Sequence, residues 1–230
     1  MMISIIIPVL NEEDNLRKLI PTIFQYSKGD QFEIIVVDGG STDDSVVLAK
    51  CLGAKVVQSS EKSRAAQMNL GAQVATGGIF YFVHADAKIH RDFENDIIQA
   101  VTNGIDAGCY RYQFDSEKFL LKMNAWFTRF NGILAGGGDQ TLFIRREIFE
   151  SLGGFDKKYI IMEDFEFVGR LKKSYNFQVL PKSIVVSARK YETNSWLRVQ
   201  LANLTVFTLY FLKKSPDSLK SIYRKMLNYR

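Results

Sequence analysis

Long hydrophobic runs are missing from this chain of 230 residues. The most apolar extended stretch, residues 196–212, is broken by Arg198, Gln200 and Asn203. A membrane-spanning helix needs about 20 nearly uncharged residues, so this stretch is not one. The opening run Ile3-Ser4-Ile5-Ile6-Ile7 meets Pro8 at once and is too short for the apolar core of a secretory signal. Four prolines are few, which argues against a long disordered linker. Cysteine is scarcer still: Cys51 and Cys109 both have apolar sequence neighbours. They read as free core thiols of a reducing compartment rather than as a disulfide. Internal repeats and low-complexity tracts are absent. The net charge is only +5, and no nucleic-acid-binding motif accompanies it.

What is present is an ordinary globular composition, 47% hydrophobic and 24% charged. The length suits one domain of roughly 180–200 residues with its own core, plus an appendage. Residues 3–9 form a continuous apolar run, as expected of a strand buried on both faces. Asn11-Glu12-Glu13-Asp14 then supplies a helix cap and an acidic first turn. Leu16, Leu19, Ile20, Ile23 and Phe24 follow at helical spacing, with Pro21 predicting a kink or restart. A second strand, 33–37, leads into Asp38-Gly39-Gly40 and a helix capped by Ser41 or Thr42. Strand 55–57, helix 64–74 and strand 79–83 follow.

This order predicts an α/β fold with a mostly parallel sheet flanked by helices and joined by right-handed crossovers. Ligands of such sheets bind beyond the carboxyl ends of the strands. The segments after Pro8, from Asp38 and from His84 all fall there. The second half is less regular. Strands are expected at 110–114, 141–144, 177–180 and 184–187, and helices at 119–130, 147–152 and 165–173. A tight loop is expected at Gly136-Gly137-Gly138.

Six pieces, SIIIPVLNEEDNL, VVDGGSTDDS, SRAAQMNLGA, HADAKI, LFIRREIFESLGGFD and MEDFEFVGRL, occur in one order and spacing. Together they resemble glycosyltransferase family 2 over roughly residues 2–188. The resemblance implies a GT-A (Rossmann-like) domain over 1–188, with 189–230 as a C-terminal, amphipathic, basic helical appendage. It implies an inverting enzyme that moves a sugar from a nucleoside diphosphate sugar to an acceptor hydroxyl with help from Mn²⁺ or Mg²⁺. Uridine diphosphate is the commonest carrier in such a family. A non-catalytic, nucleotide-sugar-binding relative is the alternative, because two familiar acids are replaced: Gly39 stands second in the usual Asp-Asp-Gly-Ser form, and His84 stands first in the Asp-x-Asp motif.

By the same resemblance Pro8, Glu12 and Asp38 line the nucleotide, and Lys62 and Arg64 face the diphosphate at a helix start. Asp86 matches the metal-binding acid. His84 is open between metal ligand, ribose contact and strand end; imidazole ligation would favour Mn²⁺ over Mg²⁺. Asp139 and Gln140 are candidates for sugar contacts, against a plain turn. Arg189 and Lys190 follow the last strand, placed to close over the diphosphate. Asp164 is assigned as general base with Glu163 in support. Asn69 reads as a structural bond to a loop and is assigned no role in the site.

The C-terminal segment has too many apolar residues for one narrow helical stripe, and a basic tail with Lys213, Lys214, Lys220, Arg224, Lys225 and Arg230. An interfacial helix on a membrane surface fits this pattern, and so does packing on the domain or on a second subunit as a homodimer. The expected location is cytoplasmic, with the inner face of the cell membrane open. An acceptor linked to lipid is compatible with it.

Overall fold

The computed structural model describes residues 1–27, 29, 31–132 and 140–227. Among these, β1 (Ile3–Val9), α1 (Glu13–Tyr26), β2 (Phe32–Asp38), α2 (Ser45–Cys51), β3 (Lys55–Gln58), α3 (Arg64–Val74) and β4 (Ile79–Phe82) form the first half. Then come α4 (Phe93–Thr102), β5 (Ala107–Phe114), α5 (Phe119–Phe127), β6 (Leu142–Arg145), α6 (Arg146–Ser151), α7 (Glu163–Leu171) and β7 (Phe177–Val186). The chain ends in α8 (Lys190–Thr193), α9 (Trp196–Phe211) and α10 (Pro216–Met226).

The sheet order is β3-β2-β1-β4-β6-β5-β7. The first four strands are mutually parallel, β6 is antiparallel to both neighbours, and β7 is parallel to β5. Alternation along β1 explains the layers, because successive side chains point to opposite faces. Ile5 and Ile7 pack with Leu16 and Ile20 of α1 and with Phe93 and Ile97 of α4. Ile6 packs on the other face with Ala65 and Met68 of α3 and with Phe149 and Phe167 of α6 and α7. A strand covered on both faces has no use for a polar residue. Ser4 is the exception in β1; its hydroxyl donates to Glu33 at 2.7 Å and accepts from the Gly77 amide at 2.9 Å.

Several expectations change. α1 runs unbroken through Pro21. The proline ring is exposed, while Ile20 and Ile23 beside it are buried, so packing holds both turns in line despite the lost hydrogen bond. The expected strands 177–180 and 184–187 are one strand, β7, whose register against β5 shifts between Tyr110 and Arg111. Pro181 lies in that stretch, and an edge strand with an irregularity tolerates it. α4 is an addition: its polar start, Glu94-Asn95-Asp96, masks the buried positions Phe93, Ile97, Ala100 and Val101. Cys51 is exposed in the last turn of α2, whereas Cys109 is buried, and the two form no disulfide with each other.

The C-terminal helices pack partly on the domain. Phe207 of α9 meets Phe165 of α7 at 4.6 Å between ring centroids, and Tyr210 meets Tyr159 at 5.9 Å. Val199 and Ala202 of α9 form a small core with Leu227. Leu197, Leu201, Leu204 and Phe211 of α9 face outward. Among the described residues no helix is long and apolar enough to cross a membrane.

The placement of α3 depends on Gly71. A Cβ there would stand 2.4 Å from Ile6 Cγ2 and 3.1 Å from Val37 Cγ2, inside a packed layer. Gly71→Val is therefore expected to cost about 1–3 kcal/mol by overpacking. Each kcal/mol lowers the thermal midpoint by roughly 2–4 °C in a chain of this size. An unchanged midpoint in thermal unfolding would show that α3 can move off the sheet without loss.

Candidate functional site

The carboxyl ends of β1 and β2 are tied together by one side chain. Gln67, in the first turn of α3, is buried, and its amide nitrogen donates to Val9 O at 2.8 Å and Val37 O at 2.7 Å. The Gly39 amide also donates to Val9 O, at 2.9 Å. A Cβ on Gly39 would come within 3.1 Å of the Gln67 amide nitrogen. Position 39 is therefore closed to a second acid unless Gln67 gives way, which accounts for the glycine. Gln67 was not anticipated from the sequence. A lone amide near a helix start has no distinctive spacing, and only its burial among carbonyls reveals it.

The loops beyond these strands are locked to each other. Asn11 adopts a left-handed conformation with φ 57°. Its side-chain oxygen accepts from the Thr42 amide at 2.8 Å, and its own amide donates to Ser41 Oγ at 2.8 Å. The Glu12 amide donates to Ser45 Oγ at 2.9 Å. Asn11, Ser41 and Thr42 thus join loop to loop and do not cap α1 or α2, which carry no side-chain cap. Asp38 is 1% exposed, and its two oxygens accept from the Gly40 and Ser41 amides at 3.0 Å each. In this state its carboxylate shapes its own turn. Lys62 lies against the same turn: a Cβ on Gly40 would be 3.3 Å from Lys62 Cε.

Around this edge the structure gathers charges from five distant parts of the chain. The Glu12 carboxyl is pushed above its ordinary range, first by burial and further by Asp86. The Asn15 amide, Arg189 and Arg64 pull it back down. Arg64 also reaches Glu163, with 3.7 Å between guanidinium and carboxylate. The Glu163 carboxyl nevertheless lies above its ordinary value, because burial outweighs a guanidinium that is itself 48% exposed. Glu163 and Asp164 are only 4% and 8% exposed. They open α7 directly after Met162, whose φ of 69° is rare for a residue with a side chain. Two of the left-handed, non-glycine residues, Asn11 and Met162, therefore flank this one cluster, the kind of place where backbone strain is retained.

The start of α3 faces it as well. Ser63 at the N-cap makes no side-chain capping bond, and its enclosed hydroxyl has no hydrogen-bond partner among the described residues. A helix start with an adjoining arginine and an unspent hydroxyl suits an anion.

The other expected residues divide. Pro8 is half-buried near the end of β1, opposite Val37. His84 and Asp86 follow β4 and are half-buried; the His84 carbonyl accepts from the Ala87 amide and closes a turn around Asp86. Arg189 is exposed at the start of α8. Gln140 is turned inward: it is 4% exposed, and its amide nitrogen donates to Tyr110 O in the sheet at 2.9 Å. Gly136-Gly137-Gly138 and Asp139 lie outside the described residues. Asn69 gains a role: its amide donates to Phe155 O at 2.8 Å and accepts from Phe155 N at 2.9 Å, pinning the loop that precedes α7.

Among the described residues no group of three or more His, Cys, Asp and Glu side chains is placed to cage a metal. Asp86 offers hard carboxylate oxygen, with Glu12 near enough to feel its charge. That donor set fits an ion such as Mg²⁺ or Mn²⁺, which takes one or two protein carboxylates and completes its shell with phosphate and water.

A sequence profile described as Glycosyl transferase family 2 matches residues 4–161. A PGL/p-HBAD biosynthesis glycosyltransferase of Mycobacterium bovis is 28% identical over 190 residues, covering 72% of this chain and 68% of its own. The solved mannosyltransferase PcManGT of Pyrobaculum calidifontis, in complex with GDP-Man and Mn²⁺, superimposes with a TM-score of 0.67 at 20% identity, over 96% of this chain and 68% of that one. S. aureus TarS in complex with UDP-GlcNAc gives 0.68 at 17% identity, over 99% and 72%. The two structural likenesses establish the shared GT-A fold. The profile covers more than half of the chain, and this protein belongs to glycosyltransferase family 2.

Proposed function

We propose that this glycosyltransferase moves a sugar from a nucleoside diphosphate sugar to an acceptor hydroxyl with inversion at the anomeric carbon. The observation that carries the reading is the meeting of Arg64, Arg189 and the uncapped α3 start with Glu12, Asp86 and the buried Glu163–Asp164 pair. Cations and a helix start suit a diphosphate that gains charge as it leaves. An enclosed acidic pair suits the removal of a proton.

In the proposed step Asp164 accepts the proton of the acceptor hydroxyl. The oxygen attacks the anomeric carbon, and the bond from that carbon to the diphosphate oxygen breaks on the opposite side. A single displacement inverts the centre. Arg64 leaves Glu163 to meet the diphosphate, and Arg189 approaches from the exposed side. Glu163, buried and inclined to keep its proton, supports its neighbour rather than competing with it as base. A divalent ion held by Asp86 would offset charge on the leaving diphosphate. Among solved relatives of this fold, TarS is described with UDP-GlcNAc and PcManGT with GDP-Man. Uridine is the base proposed here, and a lipid-linked alcohol the acceptor. A donor-binding chain without turnover would have no need to keep two acids enclosed beside that site.

Three outcomes test this reading. Asp86→Ala should abolish the part of nucleoside diphosphate binding that depends on Mn²⁺ and spare the metal-free part, read as thermal shifts. Equal loss with and without Mn²⁺ removes the metal role from Asp86.

Asp164→Asn keeps size but cannot take the proton. Turnover, measured as transfer or as donor hydrolysis, should fall by about 10²–10⁴-fold, with donor affinity near wild type. Glu163→Gln should lose much less. The reverse ranking moves the base to Glu163.

Stability should carry the signature of Glu163. Below its ordinary value of 4.5 it is protonated in both the folded and the unfolded chain. Between 4.5 and the raised folded value the unfolded chain has lost the proton and the folded chain keeps it. Stability therefore falls as pH rises through that window and stays lower above it. Glu163→Gln lacks this fall, so wild type should lose ground to the variant from pH 4.5 towards neutrality. A constant difference between their thermal midpoints would mean that burial does not control this carboxyl.

A further inference from the structure

Large apolar side chains are left in solvent on two neighbouring helices. On α5 and the turn after it, Phe119 is 77% exposed, and Leu120, Met123, Trp126, Phe127 and Phe130 are also exposed. Trp126 clusters with Phe127 at 5.2 Å and Phe130 at 5.1 Å, so this is one aromatic patch rather than scattered residues. On α9, Leu197, Leu201, Leu204 and Phe211 are exposed and recur on one side of the helix, with Leu204 at 65%. The opposite side of α9 holds the buried Val199, Ala202 and Val206. Tyr191 stands between the helices: its hydroxyl is 3.5 Å from the Asn124 amide of α5 and 3.5 Å from the Gln200 amide of α9.

Charge decides what such a face can meet. Residues 189–230 carry nine of the chain's 30 Lys and Arg but only two of its 25 acids, a local net charge of +7. The remaining residues are then net −2, from 21 bases and 23 acids. Lys118, Lys122 and Arg129 border the α5 patch, and the Arg129 guanidinium lies 4.7 Å from the Trp126 ring centroid. A second copy meeting this face would bring two such positive segments together, and like charges oppose that. An anionic bilayer turns the same charge into attraction, while its interface accepts Trp, Phe and Leu between snorkelling cations.

The geometry points to a docking surface for an anionic lipid bilayer, made jointly by the outer faces of α5 and α9 and the basic turn and helix that follow α9. The protein then lies on the membrane without crossing it. The inference does not depend on the donor or on the catalytic assignment, because none of these residues belongs to the candidate site.

The test is co-sedimentation of the full chain with vesicles of phosphatidylcholine alone or mixed with phosphatidylglycerol. Binding is expected to the anionic vesicles only. Lys213→Glu with Lys214→Glu should weaken it by about tenfold or more, since each basic residue near such a surface contributes on the order of fivefold. Phe127→Glu and Leu204→Glu should each weaken it, with thermal unfolding and donor hydrolysis unchanged. Trp196→Phe leaves Trp126 as the sole tryptophan, and its fluorescence should shift to the blue on anionic vesicles. No binding, equal binding to neutral vesicles, or a fluorescence spectrum that ignores the vesicles would overturn the proposal. So would a dimer in light scattering that Leu204→Glu dissociates while vesicle binding is absent, because the face is then a seam between two copies.

Discussion

Parallel strands end on carbonyls that point past the sheet, and in this protein the amide of Gln67 takes up those of Val9 and Val37 together. The site hangs on that double hydrogen bond. It fixes the spacing between β1 and β2 at their carboxyl ends and anchors the first turn of α3 over the gap. Arg64 and Ser63 are then held at the edge where the loops leave the sheet. Burying an amide without partners would cost about 1–3 kcal/mol, so the two carbonyls and the amide require one another.

The loops inherit this constraint. With Gln67 pressed against Gly39, the chain after β2 must turn at once. Asp38 supplies the turn by accepting two amides, and Gly40 makes it with φ 94°. Asn11 then crosses from the β1 loop to Ser41 and Thr42. The same logic holds on the other side of the site, where Asn69 pins Phe155 and so fixes the approach to Met162, Glu163 and Asp164. Both anchors sit on α3, two residues apart, so one helix sets the positions of the loops that frame the opening.

Much of the frame was legible in the sequence, because hydrophobic alternation and helical spacing are local signals. Helical spacing alone places α3 at 64–74, and the helix runs Arg64–Val74. The continuous run at 3–9 was read as a strand covered on both faces, and β1 is one. Polar segments that follow strands mark the carboxyl edge in the sequence, and the structure brings those segments together there. What escaped depended on partners distant in sequence. The spacing of Gln140 says nothing of Tyr110, 30 residues earlier, whose carbonyl claims its amide. Asn11, Ser41 and Thr42 look like caps in isolation and become loop clasps only when β1 and β2 are neighbours. Pro21 predicts a break from local bonding alone, yet buried isoleucine on its own helix keeps the turn in place. Cys51 has apolar neighbours in sequence but falls on the outward side of a short helix.

Charge is segregated by the same architecture. At the carboxyl edge, acids and arginines are interleaved at short range, so their fields largely cancel at a distance while shifting individual carboxyls such as Glu12 and Glu163. Beyond residue 188 the balance is overwhelmingly positive, nine bases against two acids. The first arrangement acts over a few ångströms, where burial and geometry decide which proton stays. The second acts over about a Debye length, 8–10 Å in physiological salt, where only total charge matters. One chain of modest net charge therefore presents a finely balanced cluster at the sheet edge and a broad positive field on its C-terminal helices. α9 links the two physically, since Phe207 and Tyr210 rest on Phe165 of α7 and on Tyr159, close in sequence to Glu163.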